Sequence, residues 1–139
     1  MKTLIWLLLL AAGTTLAQPY PSKPIRVAVA FPPGGPVDII ARLLGPKLTE
    51  SLGQSVVVEN VVGAGGNVAA TRVAKSAPDG YTILAHSSAY AVNPTLIPNA
   101  GYDGEKDFIP LAIVASQPNF VVVHADFPAR TLAELIARA

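Results

Sequence analysis

The 139-residue chain contains no cysteine, one tryptophan and two histidines, and only 14% of its residues are charged. Without cysteine it has neither disulfides nor the thiol through which an exported protein can be lipidated. His86 and His124 stand apart with no H-x-x-x-H spacing, so a transition-metal site has little to build on and none is expected. Ten Lys/Arg oppose nine Asp/Glu and neither sign runs in blocks. That balance makes nucleic acid and acidic membrane surfaces poor partners. There is no G-x-S-x-G elbow, and the G-x-G that begins at Gly63 has Val68 where a dinucleotide fingerprint needs its third glycine. No cofactor is expected. The longest apolar run, Leu4 to Ala12, is too short to span a bilayer.

That run has a different use. Lys2 precedes it and small residues ending in Thr15-Leu16-Ala17 follow it, the layout of a secretory signal peptide. Cleavage after Ala17 makes Gln18 the new N-terminus and delivers a soluble product to the periplasm. Without Lys2 the ten Lys/Arg become nine, equal to the nine Asp/Glu.

About half of the residues are apolar, enough to bury one core. Ile25 to Phe31, Ser55 to Glu59 and Tyr81 to Ala85 read as valine-rich or aromatic strands. Between them Ile39, Ile40, Leu43, Leu44 and Leu48, then Val68, Ala69, Val73 and Ala74, fall at helical spacing. The alternation predicts an α/β fold with a parallel sheet. Pro78-Asp79-Gly80 predicts a tight turn into the third strand, and the stretch from Asn93 to Phe108 reads as loop. Phe108 to Ala115 and Phe120 to His124 read as further strands. Thr131 with Glu134 three residues on predicts a capped helix over the last residues. A helix that has shown barely two turns of apolar face suggests a piece of something longer.

Two glycine-rich knots separate the first strands from their helices. Pro32, Pro33, Gly34, Gly35 and Pro36 form one, with Pro36 suited to the first turn of a helix. Gly63, Gly65 and Gly66 form the other, with Asn67 as the expected cap. Both are expected to present outward-facing amides beside each other at the carboxyl ends of the strands, and unsatisfied amides at helix starts favour anions. Asp38, the only charged residue close to either knot, is expected to complement the helix dipole rather than touch a ligand. Ser87 and Ser88 are expected to cap or line the loop after the third strand. Because His86 and Ser87 would point to opposite faces of a strand, the serines make a poor nucleophile pair with it.

The segments "FPPGGPVDIIARLLGPKLTESLGQSVVVEN", "GAGGN", "PDGYTIL" and "NPTL", in that order behind a leader, resemble the tripartite tricarboxylate transporter receptor family, the Bug-type periplasmic solute-binding proteins. The resemblance implies a periplasmic binding protein-like fold of type II, two-lobed, with a small carboxylate between the lobes and no enzymatic activity. The ligand would be a dicarboxylate, a tricarboxylate, an amino acid or an aromatic acid, passed to membrane transporter subunits. It implies ligand-binding positions at Phe31, Pro33, Gly34, Gly35, Pro36, Val37 and Asp38, at Gly63, Ala64, Gly65, Gly66 and Asn67, and at Ser87 and Ser88. Residues 1–17 would be the leader, 18–118 an incomplete lobe one, and 119–139 the crossover and start of lobe two. Val61-Val62 stands where the family commonly has Arg-Pro, which implies a looser entry to the second knot. A reading from another class is a fragment of an exported α/β hydrolase or transferase using Ser87 or Ser88. A sensory co-receptor would carry the same sequence features as a transport receptor.

Overall fold

The computed structural model describes residues 19–118 and 120–138. The leader expected over residues 1–17 lies outside them. Three parallel strands, β1 (Ile25–Val29), β2 (Val56–Asn60) and β3 (Thr82–Ala85), form one sheet in the order β2-β1-β3. Val27 is level with Val58 on one side and with Ile83 on the other. β1 is central, and Ile25, Val27, Ala28 and Val29 are all buried, as a strand covered on both faces requires. Arg26 escapes that burial at the strand's start, where it pairs with Glu59 of β2.

Parallel neighbours need crossover connections, and helices supply them. α1 (Pro36–Leu52) links β1 to β2, and α2 (Asn67–Ala74) links β2 to β3. α1 lays Val37 and Ala41 over Val27, Val29, Val56 and Val58. One turn further on, Gly45 brings the helix so near β2 that a Cβ there would stand 3.8 Å from Val58 Cγ2. Gly53 ends the helix at φ +69°, its N–H donated to Thr49 O at 3.0 Å, the left-handed stop that glycine provides. α2 buries Ala69, Ala70 and Val73. Val73 borders a small cavity with Ala28, on the face of the sheet opposite to Val27 and Val29. The three strands and two helices expected from periodicity are therefore present, and the fold is α/β.

Three expectations are corrected. The stretch from Asn93 onward is not all loop, because Ala89–Leu96 forms a helix, α3, with Pro94 inside it. Its first turn is held by Tyr90 N–H to Ser87 O (3.0 Å) and Ala91 N–H to Ser88 O (3.1 Å). Asn67 does not cap α2. Gly66 occupies the cap position, and Asn67 is the first helical residue with its side chain turned into a buried contact. Finally, Phe108 to Ala115 and Phe120 to His124 are in no strand among the described residues. Valine-rich sequence needs a neighbouring ladder to become a strand, and no strand among the described residues lies beside these segments, so Ile113 is 93% exposed and Val122 84%. Beyond them α4 (Leu132–Ile136) starts as predicted, with Thr131 Oγ1 accepting Glu134 N–H at 3.2 Å. Glu134 reaches back to Arg130 N–H rather than to the cap's own amide.

Candidate functional site

Because β1 lies between β2 and β3 and all three run the same way, the loops after them emerge side by side. In the first loop, Gly34 adopts φ +81° and its N–H is donated to Asp38 Oδ2 at 2.9 Å. Gly35 N–H goes to Pro32 O at 3.3 Å. The two glycine amides expected to face outward are thus used inside the loop. The donors left over are one step along, at Val37 and Asp38, whose N–H groups have no partner among the described residues. Pro36, at the first helical position, has no N–H to leave unsatisfied. Pro33, Gly34 and Pro36 are exposed, and Phe31, Gly35 and Val37 half-buried.

Asp38 is 2% exposed and fully engaged. Arg42 Nε lies 3.0 Å from both of its oxygens, and Asn60 Nδ2 donates to Oδ1 at 2.8 Å. Arg42, the Gly34 amide and Asn60 together hold its carboxyl at about 2, down from 3.8. The same Asn60 Nδ2 donates to Phe31 O at 3.0 Å, and Asn60 Oδ1 accepts from Arg42 Nη2 at 2.8 Å. The end of β2 is thereby tied to both ends of the first loop.

The second loop runs through four successive residues with positive φ, Gly63 (+140°), Ala64 (+47°), Gly65 (+63°) and Gly66 (+98°). Glycine suits this path at three of the four positions. Val61 N–H extends the ladder onto Val29 O at 2.8 Å, so the loop is anchored on entry despite the Val-Val in place of Arg-Pro. Gly63, Ala64 and Gly65 are exposed, and the N–H groups of Ala64 and Gly65 have no partner among the described residues. Gly66 and Asn67 are buried. Beneath the loop, Asn93 Nδ2 of α3 donates to Asn67 Oδ1 (2.6 Å) and to Gly65 O (3.1 Å).

His86 opens the third loop. Its ring meets Phe31 edge-on at 5.2 Å and packs 6.0 Å from Tyr90, which continues into a cluster with Tyr102 and Phe108. Nδ1 lies 3.0 Å from Ser87 N and 3.1 Å from Ser87 O, so it accepts the amide or donates to the carbonyl according to the tautomer of the neutral ring. Nε2 is buried against Gly66 with no hydrogen bond among the described residues, and a Cβ at Gly66 would collide with it. Burial pushes the His86 pKa down, against the opposing pull of the Ser87 and Gly66 backbone. Ser87 and Ser88 are exposed; Ser87 Oγ accepts Ala89 N–H at 3.3 Å and meets no imidazole nitrogen. A Ser–His nucleophile pair is not formed here.

The first two loops thus leave the Val37, Asp38, Ala64 and Gly65 amides without partners among the described residues, with no lysine or arginine in either loop and one compensated carboxylate. Such a surface offers hydrogen-bond donors to an anion. Among the described residues no group of three or more His, Cys, Asp or Glu could hold a metal. An open groove of about 550 Å³ lies elsewhere, along the flank of α1 and β2, lined by Arg42, Gly45, Thr49 and Glu50 among others. It shares only Arg42 with the loop cluster.

Residues 40–139 match the family described as the tripartite tricarboxylate transporter family receptor. BugT of Bordetella pertussis is 42% identical over 129 residues, covering 91% of this chain and 40% of BugT. Among solved structures, Rpa4515 of R. palustris with adipate is 36% identical at a TM-score of 0.71, over 86% of this chain and 40% of that one. MatC of Rhodopseudomonas palustris with bound malate is 38% identical at 0.69, over 86% and 41%. The chain spans about 40% of the length of the curated relatives it matches. The parallel sheet, its glycine loops and these similarities agree, and the chain belongs to the tripartite tricarboxylate transporter receptor family, whose members are solute-binding receptors and not enzymes.

Proposed function

We propose that this chain forms the first part of an exported receptor that captures a small carboxylate for a tripartite tricarboxylate-type transporter in the membrane. Residues 1–17 serve as the signal peptide, 18–118 as most of lobe one, and 119–139 as the crossover into lobe two. The observation that carries the reading is the unpartnered amides of Val37, Asp38, Ala64 and Gly65 at the ends of two adjacent parallel strands. It is supported by 36–38% identity to structures described with adipate and malate. The carboxylate contacts are drawn from Phe31, Pro33 to Asp38 and Gly63 to Asn67, with Ser87 and Ser88 on the third loop. Within that set the buried Asp38, Gly66 and Asn67 shape the loops, and the exposed positions meet the ligand.

A hydrogen bond from an amide to a charged group contributes about 1.5–3 kcal/mol. Ordering the ligand offsets much of three or four such bonds, so one lobe alone binds at about the millimolar level. Closure of a second lobe would exclude water and strengthen each contact. The test is amide NMR of the isotope-labelled chain titrated with malate and with adipate. Shifts concentrated at Val37, Asp38, Ala64 and Gly65, and lost in Gly65→Val, are expected. Saturable shifts confined to other residues, or unchanged binding in Gly65→Val, would remove these loops from the site. Covalent labelling of Ser87 or Ser88 by a serine-directed phosphonate would point instead to the hydrolase reading.

A further inference from the structure

Asp38 poses an electrostatic problem for a carboxylate site. It sits in the first turn of α1, and its own N–H and that of Val37 are the donors that the first loop leaves free. A bare carboxylate there would repel an anionic ligand over a few ångströms, where water screens little. The surrounding side chains answer this directly. Arg42, one turn along the same helix, spans both carboxylate oxygens at 3.0 Å, and Asn60 closes the ring by donating to Asp38 and accepting from Arg42. Asn60 also draws the Phe31 carbonyl toward itself, turning an acceptor that would oppose an anion into the end of β2. Arg42 meanwhile keeps its side chain 51% exposed, within the reach of solvent on the outer side of the helix.

From this closed ring we infer that Arg42 and Asn60 are positioning residues of the carboxylate site. Arg42 cancels the Asp38 charge, and Asn60 fixes the first loop against β2. The inference rests on the carboxylate-binding reading given above. Neither residue touches ligand, and both act through Asp38 and the Phe31 carbonyl. Simple dipole complementarity at a helix start would need neither a guanidinium Nε shared between both carboxylate oxygens nor an amide reaching across from β2.

NMR titration of the full chain with malate, at about 20 mM and about 300 mM salt, separates charge cancellation from simple structural support. Arg42→Gln is expected to weaken malate binding about fivefold at low salt and less at high salt, because Asp38 stays ionised. The double variant Asp38→Asn/Arg42→Gln is expected to return to within about twofold of the parent chain, since removing the carboxylate removes the need for the cation. Asn60→Ala is expected to weaken binding equally at both salts. Unchanged affinity in Arg42→Gln, or a double variant as weak as the single one, would overturn the inference. Should Arg42→Gln fail to fold, Arg42→Lys stands in. Its retained charge is expected to keep near-parent affinity, and a loss as large at high salt as at low would count against charge cancellation. A parent chain that shows no shift with malate or adipate would overturn the carboxylate-binding reading itself, a result distinct from any change among the variants.

Discussion

His86 illustrates how one side chain can be set by its surroundings rather than by its neighbours in sequence. Its ring is wedged between Phe31 of the first loop, Gly66 of the second and Tyr90 of α3, with Nε2 sealed from water. Burial favours the neutral form and lowers its pKa below 6.5. Below that pH the unfolded chain takes up a proton that the folded chain resists, so stability falls as pH falls beneath 6.5 and is fully present above it. Urea midpoints at pH 7.5 and 5.5 are expected to drop in the parent chain and to differ much less in His86→Gln. An equal drop in both would assign the effect to other groups. From the sequence, His86 could only be set aside as a metal ligand or nucleophile; the structure makes it the spacer of the three loops.

At the scale of elements, α3 is the piece that loop chemistry concealed. "NPTL" reads as a turn because Asn and Pro are turn residues, yet Pro94 falls inside a helix of eight residues whose Asn93 is buried. That side chain is the only hydrogen-bond donor to Asn67 Oδ1 among the described residues and also holds Gly65 O. Asn93→Ala therefore strands the buried acceptor Asn67 Oδ1 and releases Gly65 O, an expected loss of about 1–3 kcal/mol in chemical denaturation. It is also expected to loosen the second glycine loop, visible as faster amide exchange at Ala64 and Gly65. The helix of α1, by contrast, was legible in advance, because Pro at its first turn and apolar residues at helical spacing describe the same cylinder.

Across the whole molecule, the apolar surface is unevenly covered. Ile109, Leu111, Ile113, Phe120, Val121 and Val122 are each more than two-thirds exposed, in two segments with high strand propensity and no ladder among the described residues. Exposed apolar segments of this kind associate with one another. Size-exclusion chromatography of the purified chain is expected to show oligomers or soluble aggregate, and the pair Ile113→Asp/Val122→Asp is expected to shift the profile toward monomer. A monodisperse monomer of the parent chain would show that these residues are covered in solution.

The sequence by itself determined the strand–helix–strand–helix–strand order, the parallel sheet and the place of both glycine loops, because local periodicity and turn residues are written in neighbouring positions. It also carried the family, through ordered motifs along the chain. The strand order β2-β1-β3 and the partners of each polar group were decided only by the tertiary structure. Asn60 and Asn93 gave no signal because their partners lie 18 to 29 residues away in sequence, Asn60 to Arg42 and Asn60 to Phe31 being the extremes. Gly34 and Gly35 misled for a different reason, since whether an amide points outward depends on the local turn, which gives Gly34 N–H to the Asp38 carboxylate and Gly35 N–H to Pro32 O. Strand propensity in Phe108 to Ala115 and Phe120 to His124 went unrealised among the described residues, because a ladder needs a second strand, and that is a property of the fold and not of the segment.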